Sequence, residues 1–195
     1  MGHIKSALEI AMERTESIRG DKTSINLYEA KQKGKKLANE FLEDPQKDFE
    51  AELKKASQEE QASIKQGAFD VFLSQLTLPL SKDDEKRIET IGRGLQVIIG
   101  GGRFTAVFKQ LREALSRYLN EAARYEEAIL RQYEPKLRAK EEELSRRMGR
   151  QVKMDPFQDP EFAAFYNQNM NALKGNYRTM IDEVSAEARR IFKAE

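Results

Sequence analysis

A seven-residue apolar repeat that runs unbroken from residue 104 to residue 129 most constrains the fold of this chain. Its two registers contain large apolar residues almost throughout: Phe104, Leu111, Tyr118 and Tyr125 in one, and Phe108, Leu115, Ala122 and Ile129 in the other. These registers correspond to the a and d positions of a heptad. They predict a long amphipathic helix that packs lengthwise against other helices.

The composition agrees with a helical protein. Of the 195 residues, 39% are hydrophobic and 34% are charged, which suits helices with narrow apolar stripes and wide solvated faces. We therefore predict an all-α fold, an elongated bundle of about five or six helices with coiled-coil-like packing. A single domain over residues 1–195 is expected, and the pattern allows a protruding helical hairpin at about 130–170.

The first part of the chain predicts three helices. The first covers about Ile4–Ile18, with an apolar stripe at alternating spacings of four and three residues, and it ends at Gly20. After a turn, the second covers about Ile25–Glu43. The third starts at Asp44-Pro45 and ends before Pro79. The residues of the first stripe are Ile4, Leu8, Ala11, Thr15 and Ile18.

Two details of these helices bear on packing. Ala30 and Gly34 are small enough to let a neighbouring backbone approach closely, but Gly34 could equally do no more than weaken an exposed basic segment. The stretch from Ile64 to Leu78 is apolar on several faces, which predicts the most buried helix, with Phe72 and Leu76 in the core.

The second part of the chain predicts three more elements. Ser81–Asp84 resembles a capping box that opens a helix, and three consecutive glycines, 100–102, end it. A long helix over about 103–148 follows, with a kink or a change of packing partner expected near Pro135. The last helix starts at Asp159-Pro160 and continues to about Lys193. Its predicted buried stripe is Phe162, Tyr166, Leu173, Tyr177, Met180, Ile181, Val184, Ala188, Ile191 and Phe192.

Residues suited to catalysis or metal binding are scarce. The chain has no Cys, and its only His is His3. A thiolate site, a cysteine nucleophile and a di-iron bundle built on two histidines are therefore excluded. The acidic residues alternate with Lys and Arg at helical spacings, as in solvated ion pairs. We expect no enzyme activity, no cofactor and no metal.

Basic residues offer a possible contact for anions. One cluster contains Lys31, Lys33, Lys35 and Lys36, and the other contains Arg146, Arg147, Arg150 and Lys153. Either cluster could contact a phosphate backbone. Arg103 follows the three glycines at a predicted helix start, where an anion could bind, although a simple turn between helices explains the glycines better. The net charge of +1 gives nucleic-acid binding no general support.

The end of the long helix is a candidate interaction surface. Its thin stripe, which would need a partner if that half protrudes, contains Tyr133, Leu137, Leu144 and Met148. A second subunit or another protein would then cover it. Alternatively, the last helix folds back antiparallel and covers the stripe within the chain.

These observations favour a non-catalytic interaction or scaffold protein with a protein partner or self-association. The alternative is an RNA- or ribosome-associated protein that uses the basic clusters at 31–36 and 146–153. The longest apolar stretch, residues 68–80, is too short to span a bilayer, so no membrane insertion is expected. A cytoplasmic location is expected.

Overall fold

The computed structural model describes the backbone of residues 7–194 and the side chains of residues 24–194. Within this part of the chain the fold is all-α and has no strand, as predicted. His3, Ile4 and the side chains of the first predicted stripe lie outside the described residues. The helices are α1 (Ala7–Glu43), α2 (Phe49–Lys54), α3 (Gln58–Gln75), α4 (Asp83–Ile99), α5 (Gly102–Met148) and α6 (Pro160–Ala194).

The chain divides into two compact units. Unit 1 contains residues 1–76 and 90–101, and unit 2 contains residues 77–89 and 102–195. Helix α4 therefore contributes its first residues to unit 2 and its later residues to unit 1. The expectation of a single domain stays a prediction.

Helix α1 corrects the first predicted boundary. The backbone stays helical from Ala7 to Glu43, so the turn predicted after Gly20 is wrong. A glycine inside a helix costs only about 1 kcal/mol, and no proline interrupts this stretch. The residues after Gly20 that favour a turn can also adopt a helix, and here they continue the helix formed by the residues on both sides.

The helix predicted from Pro45 to about Leu78 is also wrong, because the chain forms two helices there. Asp44 and Pro45 belong to a turn, in which the Asp44 carboxylate accepts a hydrogen bond from the Gln46 backbone N–H. The true N-cap of α2 is Asp48, whose side chain accepts from the Ala51 N–H at 2.9 Å. Helix α3 starts after Ser57. The sequence does contain an aspartate N-cap in this region, but it is Asp48 and not the predicted Asp44.

Helices α1 and α3 cross at two glycines, where their backbones touch. A Cβ placed on Gly34 would lie 2.0 Å from the carbonyl oxygen of Ile64, and one placed on Gly67 would lie 2.0 Å from that of Lys31. The close approach that Gly34 suggested is therefore present. Ala30 and Ala38 on the same face are fully covered, so small residues line the contact.

An aromatic cluster forms the centre of unit 1. The Phe72 ring lies edge-on to Phe41 and Phe49, with centroid distances of 6.2 and 5.4 Å. Gly94 of α4 faces this ring, because a Cβ there would lie 2.3 Å from it. Phe72 is 0% exposed and Leu76 is 4% exposed, which confirms their predicted burial.

The predicted helix ends of the second half are confirmed. The Asp84 carboxylate accepts hydrogen bonds from the Leu80 and Ser81 backbone N–H groups at 2.8 and 3.0 Å, and these bonds lower the pKa of Asp84. Gly100 and Gly101 have φ of 65° and 70°, the left-handed conformation that glycine adopts without strain. They form a turn between α4 and α5. Helix α5 continues through Pro135 to Met148.

The heptad repeat of α5 is buried where α6 and the start of unit 2 pack on it, except at two positions. Tyr125 is 37% exposed, so its assignment to the buried seam is wrong, and Ala122 is half-buried. On α6, Met180 is likewise exposed although the predicted stripe included it, whereas Met170 is buried and was missed. The buried residues of α5 are Phe104, Phe108, Leu111, Leu115, Tyr118, Ile129 and Tyr133.

Replacing Gly34 with alanine should destabilise the protein by about 1–3 kcal/mol, because the new methyl group meets backbone that cannot rotate away. The matched control is Gly175→Ala on α6, where nothing lies within 4 Å of the added Cβ. That change should raise stability by up to about 1 kcal/mol through helix propensity. Urea denaturation followed by circular dichroism measures both, and equal effects of the two substitutions would contradict the backbone contact.

Replacing Phe72 with alanine should lower the free energy of unfolding by about 3–5 kcal/mol, because the cavity is enclosed by other rings. Leu80→Ala serves as the control, since Leu80 is 91% exposed and should contribute almost nothing. A loss below about 1 kcal/mol for Phe72→Ala would show that the aromatic cluster is not the core of unit 1.

Candidate functional site

A polar cluster joins the start of α6 to α5 in unit 2. The Tyr133 hydroxyl donates to Asp159 Oδ2 at 2.8 Å, and Lys140 Nζ donates to the same oxygen at 2.7 Å. Lys140 also contacts Glu161 at 2.8 Å, and Lys136 contacts the other Glu161 oxygen at 3.0 Å. Tyr133 and Asp159 are buried, whereas the other three side chains are open to solvent on one side.

Local sequence explains why Asp159 stands at this place. It is the N-cap of α6, where its second oxygen, Oδ1, accepts from the Glu161 backbone N–H at 3.1 Å. Pro160 follows at the first helical position, where a missing N–H costs nothing. The capping carboxylate is thus fixed by the backbone on one side and by Lys140 and Tyr133 on the other.

The electrostatics of this cluster favour its charged form. Lys140, as the strongest partner, lowers the pKa of Asp159, and Lys140 with Lys136 lowers the pKa of Glu161 to about 2. The pKa of Lys140 is raised by the same two carboxylates. Burial, together with the hydrogen bond to Asp159, raises the pKa of Tyr133, so its hydroxyl stays protonated and is a poor nucleophile or base.

The cluster therefore acts as a lock between two helices. Below it, Ile129, Tyr133, Phe162 and Met170 form a buried apolar group against which Leu137 packs. This arrangement is the fold-back alternative: α6 returns antiparallel and covers Tyr133 within the chain. Of the predicted interaction residues, Leu137 and Leu144 are half-buried and only Met148 is well exposed.

The loop between α5 and α6 is also fastened to α5. Ser145 Oγ accepts from the Val152 N–H at 2.9 Å, and the Glu141 carboxylate accepts from the Met154 N–H at 2.8 Å. A shallow groove of about 430 Å³ lies beside these bonds. Its charged lining mixes Arg138, Arg146 and Lys153 with Glu141 and Glu142, so it presents no field of one sign.

Several of the basic residues predicted to contact anions are occupied by neighbouring acids. Arg103 pairs with Glu187 at 2.9 Å, Arg147 pairs with Glu143, and Lys36 lies 3.9 Å from Glu40. In addition, Lys31 pairs with Asp70 of α3. Of the remaining candidates, Lys33, Arg146 and Arg150 are exposed and Lys35 is half-buried.

An exposed apolar surface on α1 escaped the sequence analysis. We define the α1 surface by Ile25, Leu27 and Tyr28, which are 55%, 43% and 66% exposed. The prediction had put a turn just before Ile25. Ile25 follows Ile18 by seven residues, and this spacing was the signal that a single helix continues through both.

Two further properties concern the described residues. No group of three or more His, Cys, Asp or Glu residues in this part of the chain could hold a metal ion. None of the helices there has a stretch long and apolar enough to cross a bilayer.

Replacing Lys140 with methionine should lower the melting temperature at neutral pH, because Asp159 then stays buried without its cation. Since Lys140 lowers the carboxyl pKa values, the stabilisation is present above the ordinary pKa of about 4.5 and is lost as pH falls toward about 2. The gap in melting temperature between wild type and variant should therefore shrink over this range. Lys109→Met, an exposed change on the same helix, should show no gap, and a gap independent of pH for Lys140→Met would contradict the ionic lock.

Comparison with known proteins gives one match. The model of a family of unknown function (DUF6657) matches residues 50–190, which is 141 of the 195 residues and includes the whole of α3 to α5 and most of α6. No curated protein and no solved structure matches the chain. The α1 surface lies outside the matched range, whereas the polar cluster lies inside it. Because the match covers well over half of its length, the chain belongs to the DUF6657 family.

Proposed function

We propose that this protein is a non-catalytic helical interaction protein and that it docks its partner through the α1 surface. The observation that carries this proposal is the exposure of three large apolar side chains, Ile25, Leu27 and Tyr28, within four residues of one helix. Single exposed apolar residues are ordinary, but three large ones within one helical turn, Ile25 and Tyr28 on one face and Leu27 on another, favour an interaction site.

The α1 surface lies on one side of the crossing of α1 and α3. The two backbones meet at Gly34 and Gly67. Phe41 and Phe72 follow the glycine in each helix, and their ring centroids are 6.2 Å apart, so the two helices leave the crossing on the same side. Residues 25–28 precede the crossing and are therefore away from this aromatic cluster.

Helix α1 continues from Ile25 back to Ala7. This stretch, residues 7–24, has 18 residues and a length of roughly 27 Å at the rise of an α-helix. An isolated helix of that length is only marginally stable in water by propensity alone, so packing against a partner would stabilise it. The length of the stretch therefore supports docking along a helix rather than at one point.

The polar cluster supports the non-catalytic part of the proposal. Tyr133, Lys140 and Asp159 hydrogen-bond to one another. The Tyr133 hydroxyl, which could otherwise act as a nucleophile, donates a hydrogen bond to the Asp159 carboxylate. The surroundings lower the pKa of Asp159 and raise the pKa of Tyr133, so the carboxylate stays charged and the tyrosine stays protonated. General acid–base catalysis needs a group whose pKa lies near the working pH, and both shifts lead away from neutral pH.

Site-specific photocrosslinking tests the proposal. A photoreactive phenylalanine analogue at position 28 should crosslink to a partner in native lysate, because Tyr28 is exposed on the docking surface. The same analogue at Met180, which is 42% exposed on α6, is the matched control. Equal crosslinking at both positions, or none at position 28, would overturn the proposal.

A further inference from the structure

We infer that the α1 surface binds an acidic segment of a partner protein, whose carboxylates pair with three lysines that follow this surface along α1. The inference rests on the proposed docking function and names the chemistry of the partner. We define the lysine group by Lys33, Lys35 and Lys36, which lie in unit 1 on the same helix as the α1 surface.

Two members of the lysine group continue the exposed side of α1 that holds Ile25 and Tyr28. Residues seven or eleven positions apart return to nearly the same side of an α-helix. Lys35 is therefore in line with Tyr28, and Lys36 is in line with Ile25. The contact with α3 is made at Gly34, and Lys36 stands slightly more than half a turn around the helix from it. Apolar and basic side chains thus follow one another along one exposed side, roughly 10–17 Å apart along the axis.

The lysine group carries positive charge that the described part of the chain leaves largely unpaired. The preceding basic residue, Lys31, pairs with an aspartate of α3 at 2.8 Å. In contrast, no carboxylate among the described residues pairs with Lys33 or Lys35. The side chain of Lys36 is 79% exposed and lies 3.9 Å from Glu40, a long and solvated pair of the kind that contributes almost nothing. These lysines are therefore available to carboxylates of a partner.

Glu29 favours a protein as the source of these carboxylates. This exposed residue stands four positions after Ile25 and four before Lys33, between the apolar side chains and the lysine group. A nucleic-acid backbone or an anionic bilayer presents continuous negative charge, so either would be repelled at Glu29 as it approached the lysines. A protein segment can place an uncharged or basic side chain at this point and its carboxylates one turn further. The mixed charges of α1 are therefore matched best by a protein.

An amphipathic helix of the partner has the spacing that this surface requires. Tyr28 and Lys35 are seven residues apart, which is two helical turns or roughly 10 Å. A helix that lies along α1 with apolar residues over Ile25 and Tyr28 therefore brings carboxylates two turns away over the lysine group. The apolar contact supplies most of the affinity, and the ion pairs fix the direction in which the segment lies.

Charge reversal of the lysine group in the full chain tests the inference. The variant Lys33→Glu/Lys35→Glu/Lys36→Glu should lower the yield of the crosslink from position 28 about tenfold, because three attractive pairs become repulsive. The neutral variant Lys33→Gln/Lys35→Gln/Lys36→Gln should lower the yield less, about threefold. Both replacements keep strong helix formers at exposed or half-buried positions, and circular dichroism checks that the helicity is retained.

The other basic cluster of the chain supplies a control with the same change in net charge. The variant Arg146→Glu/Arg150→Glu/Lys153→Glu alters three exposed residues of unit 2 and should leave the yield from position 28 unchanged. An equal loss in this variant and in the reversed lysine group would show an effect of net charge alone. That result would overturn the inference.

The crosslinked material identifies the source of the negative charge. Mass spectrometry should place the crosslink in a protein segment in which Asp and Glu outnumber Lys and Arg within about two helical turns. A neutral or basic segment would overturn the inference. Nuclease treatment of the lysate, or removal of its membranes before irradiation, should leave the crosslink in place. Loss after either treatment would identify a nucleic acid or a bilayer as the partner and would overturn the acidic protein segment.

The same crosslink separates the failure of this inference from the failure of the proposed function. If position 28 crosslinks equally in the wild type and in the lysine-group variants, the docking function stands and the acidic partner is overturned. If the wild type gives no crosslink at position 28, the docking function is overturned and this inference with it.

Discussion

Lengthwise burial of one helix by another is the constraint on which this structure depends. Helix α5 is 47 residues long, and its heptad stripe is apolar over most of that length. Such a helix cannot remain exposed, because its stability comes from packing rather than from hydrogen bonds within the helix. Helix α6 satisfies this need by returning alongside it, with Tyr177 against Tyr118 near the middle and Phe162 against Tyr133 at the turn.

The helices of the two units pack against each other in different ways. In unit 2, large side chains from α5 and α6 fill the space between the helices, and the ion pairs of Lys140 fix their register at one end. In unit 1, glycines and alanines remove that space, so the backbones of α1 and α3 touch. The first solution depends on dispersion between large groups, and the second depends on the absence of a Cβ atom.

The sequence predicted most of the fold because the strongest signals were local. The spacing of apolar residues in α5, the three glycines before it and the Asp159-Pro160 start of α6 each act within a turn or two of helix. The errors occurred where two local signals compete. Gly20 is compatible with a turn or a helix, and Asp44 and Asp48 both resemble an N-cap, so tertiary packing decided between them.

The polar cluster could not be predicted, for a different reason. Lys140 and Asp159 are 19 residues apart, and nothing in the pattern of either residue indicates the other. Their meeting depends on the return of α6, which the sequence allowed only as one of two arrangements. The α1 surface was missed because a turn was predicted after Gly20, where the helix in fact continues. The spacing of seven residues between Ile18 and Ile25 already indicated this continuity.

The contact between Gly34 and the Ile64 carbonyl has a consequence for how the α1 surface can change during evolution. Its position is set by main-chain atoms, which are the same whatever residues stand at 25, 27 and 28. Under the proposed function, substitutions at those three positions would alter what the helix recognises without altering where the helix lies. Recognition and architecture would then depend on separate residues of one helix, so that partner preference could change while the crossing stays constant.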